Sequence, residues 1–173
     1  MIKDLNFLDF LMISSIIELI MLYLFRFTRS PFTGIAINNW YTNLRWTAII
    51  LDILSLMIGF YISRFIYLFL LNHKYISNEY PFSKFLGIVL MVQIIHDFSF
   101  YFLIIKNSKM GNSLVMDEFM RYTNSIGFGA VIGDSFMYLL SIPLLYLLYQ
   151  IKQDKKIFLI LVSFYLIGYF LYQ

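Results

Sequence analysis

Long apolar stretches separated by short polar ones run through the whole chain. A helix needs about 20 consecutive apolar residues to cross a bilayer. Five stretches approach or exceed that length, and they cover residues 7–27, 45–71, 82–105, 127–149 and 157–172. The pattern predicts an all-α, polytopic transmembrane helical bundle of about five spans, built as a single integral membrane domain over residues 1–173. The last stretch is at the short limit for a span, so four spans plus a C-terminal half-inserted or interfacial helix is the alternative.

The polar stretches between the spans predict turns and one further helix. Ser30 and Pro31 indicate that the first helix ends there. The region around residues 38–41 is expected to be a loop. Residues 107–125 favour a short interfacial helix, with Asp117 and Glu118 on a solvated face. We call the membrane face that carries Met1 side A and the opposite face side B.

Composition supports the membrane interpretation independently of any window. The hydrophobic fraction is 61% and the charged fraction 13%, against about 45–50% and about 25% in soluble domains. A soluble fold of this size has too little interior to bury that much apolar surface. The balance of lysine and arginine between the two sides is too even to orient the chain, so the sequence does not select a particular membrane or sidedness.

Each of the first four predicted spans carries one acidic residue at a similar depth. The four acids are Glu18, Asp52, Asp97 and Asp134. Each lies roughly seven to nine residues from the side-B end of its span, which is about 10–14 Å at the helical rise of 1.5 Å per residue. Gln93 and His96 share a helix face with Asp97, and Tyr138 shares one with Asp134. We therefore expect these seven residues to form one polar cluster inside the bundle.

The energetic cost of placing four acids inside a membrane indicates that their charges are neutralised in some way. A charged residue at mid-membrane costs about 2.5–3.5 kcal/mol, so four isolated carboxylates would cost on the order of 10 kcal/mol. They must therefore be protonated, paired or hydrated. The sequence leaves three interpretations open. The cluster is a proton or cation pathway, a hydrogen-bonded polar plug in a structural subunit of a larger membrane assembly, or the site of a membrane-embedded enzyme acting on a lipid-like substrate.

A non-enzymatic role is favoured, because no catalytic motif such as GxSxG is present. A bound cation is compatible with the ligand types of Glu18, Asp52, His96, Asp97 and Asp134, although no metal-binding spacing accompanies them. Haem is disfavoured, because His73 and His96 lie toward opposite sides of the membrane. The absence of cysteine excludes disulfides and iron–sulfur clusters.

Two smaller groups of residues complete the predictions. Asn39, Trp40, Tyr41 and Arg45 lie at the side-B mouth of the bundle, where they form either an interfacial belt or a polar lid over the acids. We favour the belt, because tryptophan and tyrosine are enriched at headgroup level.

Asp9 and Arg64 both lie toward side A and are a candidate structural ion pair. The expected partner is the lipid bilayer, and the size of the chain suits a homo-oligomer or a larger membrane complex. No basic patch interleaved with aromatic residues indicates nucleic-acid binding.

Overall fold

The computed structural model describes residues 2–28 and 35–173, which fold into helices joined by short turns. The α-helices are α1 (Phe7–Phe27), α2 (Ile35–Leu44), α3 (Trp46–Asn72), α4 (Pro81–Leu103), α5 (Leu114–Ile126), α6 (Gly129–Leu148) and α7 (Gln153–Leu171). The predicted break at Ser30 and Pro31 lies outside the described residues. The all-α bundle predicted from the apolar stretches is confirmed.

Within residues 2–28 and 35–173, four helices are long and apolar enough to cross a membrane. They are α1, α3, α6 and α4 together with the 3-10 turn that follows it. Their bounds differ from the first four predicted spans by only a few residues at each end, because hydropathy registers the membrane-facing length of a helix directly. By length and composition, the chain has the helices of an integral membrane protein.

Local chemistry fixes where several helices begin and end. At the start of α1, the Asn6 side chain accepts hydrogen bonds from the Leu8 and Asp9 amides at 2.9 and 3.3 Å. The Asp9 carboxylate in turn accepts the Asn6 amide at 2.9 Å, which completes a capping box. Between α5 and α6, Gly127 has φ 57 and ends α5 in the left-handed region that glycine tolerates. This turn lets α6 begin two residues later.

The four long helices form a closed ring. Helix α1 packs against α3 and α6, and α4 packs against the same two helices from the opposite side. The centre of the ring is filled by aromatic side chains: Phe10 stacks on Phe60 at 5.2 Å, and Phe60 meets Tyr138 edge-on at 5.2 Å between centroids. Phe10, Phe60 and Tyr138 are all buried. They therefore join α1, α3 and α6 into one core.

Helix α7 lies outside the ring, alongside α1. Near side A, the buried Lys156 ammonium pairs with the Asp9 carboxylate. Near side B, Arg26 donates a hydrogen bond to the Leu171 carbonyl oxygen at 2.8 Å. Helix α7 therefore runs parallel to α1 over most of its length. The first turn of α7 carries Asp154 and two lysines, which is more charge than a membrane-spanning helix usually holds. The candidate spans in the described residues are therefore the four ring helices.

Helices α2 and α5 pack against each other at side B, and we call this pair the side-B lid. Trp40 of α2 lies on Phe119 of α5, with ring centroids 4.7 Å apart. The Asn43 amide donates to the Glu118 carboxylate at 2.9 Å. The short helix predicted within residues 107–125 is thus present as α5, whereas the loop predicted around residues 38–41 is in fact the helix α2.

The prediction that Glu118 lies on a solvated face is wrong. Its side chain is buried and accepts hydrogen bonds from Asn43 of α2 and from Arg121 one turn along α5. The sequence did not indicate this burial, because α2 was not expected to form and cover that face of α5.

Candidate functional site

A cavity of about 560 Å³ lies between α3, α4, α6 and the side-B lid. Its polar lining includes six of the seven residues of the predicted cluster: Asp52, Gln93, His96, Asp97, Asp134 and Tyr138. The three aspartates come from three different helices of the ring. The fold thus brings together side chains that are far apart in the sequence.

Asp52 is held by the lid. The indole Nε1–H of Trp40 donates to Asp52 Oδ2 at 3.0 Å. Trp40 is buried and Asp52 is partly buried, and their hydrogen bond ties α2 to α3 directly above the cavity.

Asp97 is held by its own helix. The Gln93 amide donates to Asp97 Oδ1 at 2.6 Å across one turn of α4, and the Nδ1 atom of His96 lies 3.3 Å from the same oxygen. The other oxygen, Oδ2, is buried and accepts no hydrogen bond from the described residues. The imidazole itself is half exposed and stacks on Phe100. His96 therefore lies at the edge of the cavity, and Asp97 faces into it.

Asp134 is the least constrained of the three aspartates. No described residue donates a hydrogen bond to it, and it interacts electrostatically with Asp97 and Asp52. One turn along α6, the Tyr138 hydroxyl donates to the Leu56 carbonyl oxygen at 3.2 Å. Gly59 leaves the space that this hydroxyl occupies. Tyr138 thus anchors α6 to α3, while the Asp134 carboxyl group remains open toward the cavity.

Glu18 lies behind the cavity wall on α1 and is not among the lining residues. It is fully buried, and both of its carboxyl oxygens lack a hydrogen bond of normal geometry from the described residues. It interacts electrostatically with Asp52 and Asp134, and the Tyr41 hydroxyl of α2 approaches it closely enough to interact. Glu18 therefore lies outside the cavity lining and affects the site through its electrostatic interaction with Asp52 and Asp134.

The acids change the pKa of two tyrosine hydroxyls in the lid. Burial and the charges of Glu18 and Asp52 raise the pKa of the Tyr41 hydroxyl well above its ordinary value. Burial and the charges of Asp134, Asp52 and Asp97 likewise raise the pKa of the Tyr122 hydroxyl. Both hydroxyls consequently keep their protons at neutral pH and are available as hydrogen-bond donors.

The preferred interpretation of the side-B mouth is wrong for two of its four residues. Trp40 and Tyr41 are buried against the acids and act as a lid, whereas an interfacial belt would leave them exposed. Asn39 and Arg45 are exposed, and the Arg45 guanidinium lies 5.6 Å from the Tyr172 ring centroid. The difference arises because α2 is amphipathic and turns its aromatic face inward.

The proposed ion pair between Asp9 and Arg64 does not form. Asp9 pairs with Lys156 instead. Arg64 donates to the carbonyl oxygens of Ile2 and Lys3 at 3.1 and 2.6 Å, because the N-terminal 3-10 turn folds back over α3. Lys156 and Arg64 both lie at the same end of the bundle as Asp9, and that shared position alone does not determine which cation meets Asp9.

Most of the cavity wall is aromatic or aliphatic. Phe100 of α4 and Phe119 and Tyr122 of the lid line it. Tyr122 and Phe119 were not predicted as site residues. The spacing of Phe119, Tyr122 and Ile126 along α5 places them on one helical face, and that periodicity is the signal that could have identified them.

The potential metal ligands are not gathered around one point. In the described parts of the chain, no group of three or more histidine, cysteine, aspartate or glutamate side chains lies close enough together to hold a metal ion. The carboxyl groups are instead distributed around a space large enough for a small molecule.

Comparisons of this chain with protein-family models, with curated proteins and with solved structures found no match.

Proposed function

We propose that this membrane protein binds protons or cations at the carboxyl groups of its cavity and provides a path for them across the membrane, with the side-B lid at one end of that path. The observation that carries the proposal is the open carboxyl group of Asp134. It lines the cavity, has Asp52 and Asp97 as electrostatic neighbours, and accepts no hydrogen bond from the described residues.

The need to neutralise the buried carboxylates is the physical reason to expect a proton or cation in the cavity. Carboxylates inside a membrane protein are costly unless they are protonated, paired or hydrated. Among the described residues that line the cavity there is no lysine or arginine. His96 lies 3.3 Å from Asp97 and can pair with that one carboxylate when its ring is protonated. Asp52 and Asp134 have no cationic side chain beside them among the described lining residues, so they depend on a proton or an external cation for neutralisation.

The side-B lid covers the cavity where Asp52 lies, so it is the expected exit for a bound proton or cation. Trp40 contacts Asp52 directly, and Tyr122 lines the same cavity. A movement of α2 or α5 would expose Asp52 to side B. Loops and short helices with polar contacts commonly supply such movements.

A hydrogen-bonded polar plug is the second candidate function. It is favoured by the bonds from Gln93 to Asp97 and from Trp40 to Asp52, which stabilise the bundle whether or not anything moves through it. In that case the protein would serve as a structural subunit, and the acids would set helix register.

Proton flux into proteoliposomes tests the proposal. Purified protein is reconstituted with a pH-sensitive dye inside the vesicles, and a potassium diffusion potential drives proton entry. We expect flux above that of empty vesicles, and at least a tenfold loss in Asp134→Asn. Asp154→Asn is the matched control, because Asp154 is an exposed aspartate on α7 outside the cavity.

The result also separates the two candidates. Flux that is equal in Asp134→Asn and the wild type would contradict a role for this carboxyl group. A wild-type protein without any flux, in which Asp134→Asn lowers the unfolding temperature, would favour the plug.

A further inference from the structure

We infer that the cation is a bulky, lipophilic organic cation, such as an aryl- or alkyl-substituted ammonium or phosphonium, which enters the cavity sideways from the bilayer. This inference rests on the proposed function and narrows its cargo from cations in general to one chemical class.

The size of the cavity argues for an organic ligand. Its volume of about 560 Å³ falls within the range of small-molecule sites, roughly 300–1,000 Å³. A metal ion such as Ca²⁺ needs six or more oxygen ligands converging at about 2.3–2.6 Å. No such convergence occurs among the described residues, so the three aspartates suit a larger ion that touches them from different directions.

The chemistry of the wall argues for a cation with apolar substituents. Phe100, Phe119 and Tyr122 place aromatic rings around the carboxyl groups. Aromatic faces attract cations electrostatically, and the attraction is stronger where water is excluded. The same rings bind aryl and alkyl groups by apolar contact. An anion of equal size would meet the same rings but would be repelled by Asp52, Asp97 and Asp134.

Buried carboxyl oxygens without a hydrogen-bond donor are independent evidence for a cationic ligand. Glu18 is completely buried, and neither of its carboxyl oxygens accepts a hydrogen bond of normal geometry from the described residues. Asp97 Oδ2 is also buried and unpartnered. Buried polar atoms in native proteins nearly always have a partner. Asp97 lines the cavity, so a cation bound there would lie beside this oxygen and pair with it.

The exposed edge of the cavity indicates the route of entry. Ile58 and Ile62 of α3 and Tyr101 and Phe102 of α4 line the cavity and are exposed on the outer surface of the bundle. Both helices are candidate spans. This edge therefore faces lipid, where a lipophilic cation concentrates and a hydrated metal ion does not.

Proton displacement follows from the charge balance. A cation R₄P⁺ that binds beside a protonated aspartate forms the pair R₄P⁺···⁻OOC and releases that proton to the solvent. Binding should therefore strengthen as pH rises through the titration of the site, and each bound cation should release up to one proton. Simple apolar partitioning into the cavity would show neither effect.

Tetraphenylphosphonium is the probe, and tetraphenylborate, an anion of nearly the same size and shape, is the control ligand. The protein carries only two tryptophans, so Trp46→Phe leaves Trp40, which contacts Asp52, as the single fluorescent reporter. In detergent micelles we expect saturable, one-to-one quenching by tetraphenylphosphonium. Tetraphenylborate should produce none beyond that seen with a free tryptophan analogue in the same micelles.

Variants in the Trp46→Phe background decide the outcome. Asp134→Asn should weaken tetraphenylphosphonium binding at least tenfold, and the exposed Asp154→Asn should leave it unchanged. Asp97→Asn gives the same test if Asp134→Asn does not fold by circular dichroism. Equal binding of the two probes, or unchanged affinity in a folded Asp134→Asn or Asp97→Asn protein, would overturn the inference.

The two proposals fail separately. If tetraphenylphosphonium does not bind but proton flux depends on Asp134, the organic-cation inference is wrong and the proposed function stands. If neither binding nor flux occurs, both are wrong.

Discussion

Replacement of Gly59 by alanine would place a methyl group where the Tyr138 hydroxyl lies. The added Cβ atom would overlap the hydroxyl oxygen and approach the ring carbon Cζ to 2.9 Å. Tyr138 cannot easily move aside, because its ring is buried against Phe60 and its hydroxyl donates to the Leu56 carbonyl oxygen. The substitution should therefore push α3 and α6 apart or break that hydrogen bond.

The expected cost can be assembled from three terms. Overpacking in a tightly filled core costs about 1–3 kcal/mol. An interhelical hydrogen bond in a membrane protein contributes about 0.6 kcal/mol on average. Part of this cost is offset, because alanine is more favourable than glycine in a helix interior by about 0.8–1 kcal/mol. The net loss in the free energy of unfolding should be on the order of 1–2 kcal/mol.

Gly87→Ala is the matched control. Gly87 lies on α4, and a Cβ atom added there has no neighbour within 4 Å. Only the helix-propensity term applies, so this variant should be as stable as the wild type or more stable by up to about 1 kcal/mol. Unfolding in mixed micelles of dodecylmaltoside and increasing SDS, followed by far-UV circular dichroism, measures both variants on one scale.

A double-mutant cycle identifies the clash as the cause. Tyr138→Phe removes the hydroxyl oxygen that the new methyl group would meet. Gly59→Ala combined with Tyr138→Phe should therefore be less destabilised than the sum of the two single variants. Equal stability of Gly59→Ala and Gly87→Ala, or strict additivity in the cycle, would refute the close approach of α3 and α6 at this point.

Two further predictions concern α7 and the lid. Lys156→Met leaves the buried Asp9 carboxylate without its cation and should lower the free energy of unfolding by about 3–5 kcal/mol. In the same SDS titration the exposed neighbour Lys155→Met should change it by less than about 0.5 kcal/mol, and similar losses in both would refute the pairing. Burial and neighbouring carboxylates raise the pKa of Tyr41, so the folded protein holds this proton to higher pH than the unfolded chain. Stability should be intact below about pH 10 and fall above it. Tyr41→Phe should flatten that alkaline loss and the exposed Tyr75→Phe should not, as SDS midpoints between pH 8 and 11.5 would show.

The sequence predicted the membrane-spanning helices well because each depends on its own residues. The first predicted span, residues 7–27, coincides with α1, and the capping residue Asn6 marks its start. The positions of Asp52, Asp97 and Asp134 relative to the helix ends also followed from counting residues at a fixed rise. Those positions placed the aspartates at a common depth, and all three line the cavity.

The sequence could not predict the lid, because short helices are stabilised by what they pack against. Helix α2 has only ten residues, and its burial depends on Phe119 of α5 and on Asp52 of α3. The periodicity of residues 35–44 alone does not distinguish an interfacial loop from a helix over a cavity. The role of Trp40 and Tyr41 was therefore assigned to a belt, when the fold makes them a cover.

What the sequence determined by itself was the class of fold and the positions of Asp52, Asp97 and Asp134 along their helices, since hydropathy and helical rise depend only on neighbouring residues. Only the tertiary structure decided which groups meet. Asp9 pairs with Lys156 across 147 residues of sequence, although Arg64 lies on the same side of the membrane. The cavity likewise exists only because α3, α4, α6 and the lid surround a common space. Contacts of this kind depend on how helices pack around one another, and no local pattern along the chain encodes that arrangement.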